Sequence, residues 1–146
     1  MPPELAPFFF IAVAICFVLI ALNLRAKAMH SLADRLGYEY IKDGPLSDSF
    51  CMTSKPFDQK PMVWNILEGE RDGTKLLIFD SVVGKSYRTV IAVHSDSSPY
   101  ALGLESYPGE TMQSDGWSVL IKRPILYGLW GMSIHRIEEI LNNLLV

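Results

Sequence analysis

The side chains of this 146-residue chain that could do chemistry are few and widely spaced. Asp80 ends the apolar stretch Leu76-Leu77-Ile78-Phe79-Asp80. A carboxylate there could act as a base, ligate a cation, bind an amine, or accept hydrogen bonds from the amides of a following turn, and the last of these is the expected role. His94-Ser95-Asp96-Ser97-Ser98 gathers an imidazole, hydroxyls and a carboxylate. A catalytic triad needs the imidazole between nucleophile and acid in space, which sequence neighbours rarely achieve, and no Gly-x-Ser-x-Gly elbow exposes a nucleophile. The stretch therefore reads as a polar turn after a strand. Asp80 and His94 remain the only candidates for a hydrolytic pair.

Gly84-Lys85-Ser86 has the tail of a phosphate-binding loop. The full motif wants a glycine five positions earlier, where Phe79 stands, and should open a helix rather than a strand. A hairpin turn accounts for it. His30, His94 and His135 are isolated from one another, and Cys51 has no CxxC partner. These spacings predict neither a metal centre nor a cofactor site.

The elements that would position these residues begin with a membrane span. Residues 5–24 carry no charge, and only Pro7 and Asn23 interrupt the apolar run. At about 1.5 Å per residue they span about 30 Å, the thickness of a bilayer's hydrocarbon core. A secretory signal would want a basic head and a shorter apolar stretch. Met1 to Glu4 has no Lys or Arg, although Ala26-Lys27-Ala28 has the small residues of a cleavage site. The expected organisation is a short extracytoplasmic head (1–4), a transmembrane helix (5–24) and one α+β domain (25–146).

Arg25, Lys27 and Arg35 follow the span closely. The positive-inside rule then puts the N-terminus outside and the domain in the cytoplasm, at the cell membrane. Cys16 in the span and Cys51 in the domain cannot pair without unravelling the anchor, which suits a reducing compartment. The net charge of −3 argues against nucleic acid as a partner. The collar of Arg25, Lys27 and Arg35 could instead meet an anionic lipid surface.

Within the domain, Ala26, Met29, Leu32, Ala33 and Leu36 share one helical face, with Gly37 placed as a left-handed cap. This juxtamembrane helix could run on directly from the span. Residues 38–41 suggest a short strand. Residues 62–68, 74–80 and 87–94 form three β-rich runs separated by Glu70-Arg71-Asp72-Gly73 and by Gly84-Lys85-Ser86, an antiparallel meander. Further strands are expected at 100–105 and 116–122. Ser133 is placed to cap a last amphipathic helix whose stripe is Ile134, Ile137, Ile140, Leu141, Leu144 and Leu145. The fold class is α+β: a transmembrane helix, then an antiparallel sheet of about five strands flanked by the juxtamembrane and C-terminal helices. Tyr127-Gly128-Leu129-Trp130-Gly131-Met132 reads as a tight turn over the core or, as the second choice, a loop dipping toward the membrane surface.

Several of these residues carry a resemblance. Leu36-Gly37-Tyr38, Asn65 followed by Gly69-x-x-x-Gly73, Ile78-Phe79-Asp80 and Thr89-Val90 make the chain similar, over about residues 29–104, to a group of prokaryotic single-pass membrane proteins with a small cytoplasmic α+β domain. The resemblance implies fold and location and carries no activity, cofactor or catalytic residue. The expected function is a non-enzymatic interaction or scaffold module at the cytoplasmic face, holding a protein partner or a second copy of itself. Ala12 and Cys16 give the span a small-x-x-x-small pair for dimerisation. The competing expectations are a membrane-associated hydrolase using Asp80 and His94, and binding to anionic lipid.

Overall fold

A computed structural model describes residues 5–48, 50, 57, 61–83, 86–95, 97–122 and 132–144. One helix, α1 (Ala6–Leu36), contains both the apolar run and the juxtamembrane stripe without a break. No proline or glycine falls between Phe8 and Leu36 to interrupt it. It stops at Gly37, whose φ of +70° lets the amides of Gly37 and Tyr38 close back onto Asp34 and Ala33. It is the one described helix long and apolar enough to cross a membrane.

Six strands follow, β1 (Glu39–Asp43), β2 (Met62–Arg71), β3 (Thr74–Val83), β4 (Ser86–His94), β5 (Glu110–Ser114) and β6 (Trp117–Lys122), and then α2 (Ile134–Leu144). They make one sheet in the order β1-β2-β3-β4-β6-β5, each pair antiparallel. Two hairpins turn on Asp-Gly pairs, Asp72-Gly73 and Asp115-Gly116, with positive φ at all four residues. That is the two-residue turn whose twist matches the strands it joins. Ser133 caps α2 as expected, its Oγ accepting from the Arg136 amide.

Two expectations need correction. Among the described residues the sheet has six strands, one more than the expected five or so, and residues 100–105 are not a strand. The chain there turns and enters a short 3-10 helix at Leu104–Ser106, with Gly103 at φ +70°, a conformation that breaks an extended run. The strand pairing with β6 at this edge is β5 instead, a polar segment with little β signature.

The sheet separates two cores. On one face Met29, Leu32 and Ala33 of α1 and Ile137, Ile140 and Leu141 of α2 bury Leu67, Leu76, Ile78, Ile91, Val93 and Leu120. On the other, Phe50 and Phe57 cover Val63, Ile66, Leu77, Phe79, Val90, Trp117 and Val119. Strand alternation assigns neighbours to opposite cores. Residues 6–24 of α1 belong almost wholly to neither, and Phe8, Phe9, Phe10, Phe17 and Leu19 stand exposed.

Candidate functional site

The buried stripe of α1 is Ala21, Arg25, Met29, Leu32 and Ala33, at helical spacing, so a guanidinium occupies one position of an apolar face. On β3 the alternation that sends Leu76 and Ile78 toward α1 sends Asp80 there as well. Asp80 is fully buried and Arg25 is 6% exposed. Arg25 Nε donates to Asp80 Oδ2 and its NH2 group donates to Oδ1, both at 3.1 Å. This is the two-bond fork that suits arginine to a carboxylate.

Asn65 reaches the same carboxylate from within a bulge of β2. Trp64 pairs with Asp80 and Leu67 with Ile78, so Asn65 and Ile66 together oppose Phe79. Ile66 enters the core beneath Phe79. Asn65 takes a left-handed backbone, φ +51°, and its amide turns to the opposite face to donate to Asp80 Oδ2 at 3.0 Å. Asparagine tolerates that backbone better than most side chains. Its Oδ1 accepts from the Tyr40 hydroxyl of β1 at 2.8 Å.

Thr89, opposite Asp80 on β4, donates to Asp80 Oδ1 at 2.8 Å and accepts from the Met132 amide at 2.9 Å. Arg25 also donates to the Met132 carbonyl and, at 3.3 Å, to Thr89 Oγ1. Each Asp80 oxygen thus receives two donors, and every nitrogen of the Arg25 guanidinium is engaged. A buried charge pair persists when its hydrogen-bonding capacity is filled in this way.

The phenol of Tyr87 borders this network, its ring 5.4 Å from that of Trp64. Burial pushes its pKa well above the usual tyrosine value, the Asp80 charge adds to the rise, and Arg25 opposes it. Tyr40 is shifted the same way by burial and then by the charges of Asp80 and Asp43. Both phenols keep their protons at neutral pH.

The remaining sequence candidates lie elsewhere. His94 is exposed, packs edge-on against Trp117, and belongs to the face of the sheet opposite Asp80. It lies about 16 Å along β4 from Thr89, at about 3.3 Å per residue. The structure therefore does not bring Asp80 and His94 together. Ser95 and Ser98 accept hydrogen bonds from the amides of Ser97 and Ala101, the polar turn expected there. Asp80 does not cap a turn: β3 continues past it to Val83, and its described partners are side chains. Of the basic collar, Lys27 and Arg35 are exposed while Arg25 is turned into the domain. Arg35 pairs with Glu138 of α2. Lys85, Cys51, Asp96, Tyr127 and Trp130 lie outside the described residues. No cluster of three metal-ligating side chains occurs among the described residues.

Sequence reasoning missed the assembly of Arg25, Asn65, Thr89 and Tyr40 around Asp80. The signal was an arginine on the stripe of α1 together with Asp80 and Thr89 at core-facing positions of neighbouring strands.

Beside the network a cleft of about 370 Å³ opens between α1 and the β1–β2 edge. Leu22, Asn23, Ala26, Lys42, Asp43, Trp64 and Asn65 line it.

Comparison of the chain with protein-family models, with curated proteins and with solved structures gives no match.

Proposed function

We propose that the protein is a single-pass membrane protein whose α1 holds the α+β domain at the cytoplasmic face, and that the domain is a non-enzymatic interaction or scaffold module. The observation that carries this reading is the continuity of α1. One helix offers exposed apolar side chains over its first twenty or so residues and supplies the domain's core from Arg25 onward. A helix merely tethering a domain would end in a linker, whereas this one is fastened by the buried Arg25–Asp80 fork.

The network favours a structural role for Asp80. A general base must reach a substrate proton, and this carboxylate is fully buried with two donors on each oxygen. Alkaline carbonate extraction of membranes carrying the full chain tests the anchor: the protein is expected in the pellet, and release into the supernatant would refute the span. For orientation, Tyr100→Cys in a chain with Cys16→Ser and Cys51→Ser offers an exposed thiol. It is expected to escape an impermeant thiol reagent in intact cells and to react after permeabilisation.

A further inference from the structure

We propose that the cleft between α1 and the β1–β2 edge binds a phospholipid headgroup bearing both a phosphate and a primary ammonium, that of phosphatidylethanolamine. This rests on the membrane anchoring proposed above.

Depth is the first argument. Arg25 follows the last apolar residue of the span, Leu24, and its bond to Asp80 fixes the sheet's height against the bilayer. Residues 76–80 of β3 run alongside residues 25–33 of α1 in the opposite direction, Asp80 meeting Arg25 and Leu76 packing in the core with Met29 and Leu32. β3 continues to Val83, about 10 Å further toward the membrane at about 3.3 Å per residue. Ala21, one turn back along α1, is buried as well. The end of the sheet therefore stands at headgroup level, and Met62 at that end is 73% exposed. The cleft's helical wall, Leu22, Asn23 and Ala26, lies at the same level, directly below the exposed Leu19 and Ile20.

Chemistry is the second argument. Lys42 and Asp43 are exposed, line the cleft side by side, and form no ion pair among the described residues. A cation and an anion so placed complement a zwitterion, the ammonium of Lys42 meeting the phosphate and the Asp43 carboxylate meeting the headgroup amine. Trp64 gives one wall an aromatic surface, the side chain that favours membrane interfaces. The amide of Asn65 already donates to Asp80 and accepts from Tyr40, so it forms the floor, with recognition assigned to the rim. The acyl chains of such a lipid would lie along the exposed apolar side of α1. A single tryptophan does not make the aromatic cage that a quaternary ammonium prefers, and a purely anionic headgroup would leave Asp43 facing a like charge.

Native mass spectrometry of the full chain tests this, using protein released from mixed micelles that contain equal amounts of phosphatidylethanolamine, phosphatidylcholine and phosphatidylglycerol. One phosphatidylethanolamine per chain is expected, with retention reduced about tenfold or more by Lys42→Glu and unchanged by Lys75→Glu, an exposed lysine at the far end of β3. Equal retention of the three lipids, a chain dimer with no lipid, or undiminished retention by Lys42→Glu would overturn the site. Carbonate extraction of the same membranes separates the two claims. A chain that stays in the pellet yet keeps no phosphatidylethanolamine refutes the headgroup site alone, whereas a chain that is released refutes the anchor and the site with it.

Discussion

Arg25 and Arg35 stand ten residues apart on α1, and each meets a carboxylate of the domain, yet their surroundings give the two pairs different work. Arg35 donates from Nε to Glu138 Oε1 at 3.0 Å in a pair whose side chains are 50% and 33% exposed. Water competes for both groups, ions screen them, and such a pair contributes about 0–1 kcal/mol. Arg25 and Asp80 are almost wholly shielded from water, and three further polar groups, those of Asn65, Thr89 and Met132, complete their bonding. A buried pair of this kind gains little over apolar side chains of the same shape but is very costly to half-remove. The lesson is that the exposed pair adjusts the packing of α1 on α2, whereas the buried pair fixes which turn of α1 meets the sheet, and so how far the domain stands from the membrane.

The largest way to break this contrast is Asp80→Ala, which leaves the guanidinium buried without its counter-ion. A loss of about 3–5 kcal/mol is expected for the full chain in nanodiscs, read from urea unfolding by tryptophan fluorescence. Next comes Asn65. Asn65→Ala removes the bonds to Asp80 and Tyr40 and keeps a Cβ at φ +51°, while Asn65→Gly removes the same bonds but suits the bulge. A cost of about 1–3 kcal/mol is expected for the bonds, with the alanine variant about 1 kcal/mol worse than the glycine one. Equal losses would mean that the bulge carries no backbone strain.

A smaller effect is expected at alkaline pH. The raised pKa of Tyr87 means that the folded state holds its proton more tightly than the unfolded state does. That contribution to stability is complete below the unfolded phenol's pKa of about 10 and is lost as pH rises through the higher folded value. Stability curves of the wild type and Tyr87→Phe should therefore converge or cross as pH increases above about 10; a constant separation would refute the assignment. The smallest effect is expected for Arg35→Ala, within about 1 kcal/mol and fading further with added salt. A loss comparable to that of Asp80→Ala would erase the distinction between the two pairs.

Much of the frame was legible because it rests on periodicity. The uncharged run of residues 5–24, the stripe from Met29 to Leu36, the strands around the Asp72-Gly73 hairpin and the stripe of α2 each repeat at the spacing of their element. β5 was not legible: Glu-Thr-Met-Gln-Ser becomes a strand by pairing with β6, and pairing leaves little mark in the segment itself. Residues 100–105 have strand-like composition, but Gly103 turns left-handed and a short 3-10 helix follows. The candidate site was legible only in single residues. Asp80 stood out as an acid in an apolar strand, but Arg25 lies 55 positions away and reads first as part of a basic collar. Asn65 was hidden more deeply, because its setting is a β-bulge between Trp64 and Leu67, and such a bulge has no distinct local signature.

The most direct test of the coupling between α1 and the sheet is a double-mutant cycle on Arg25→Met and Asp80→Leu, each variant unfolded as the full chain in nanodiscs. Each single change should be strongly destabilising, the double variant should be more stable than either single, and the coupling should be about 2 kcal/mol or more. Losses that add to within about 0.5 kcal/mol would show that the two residues act independently, and would contradict the claim that this pair sets the helix on the sheet.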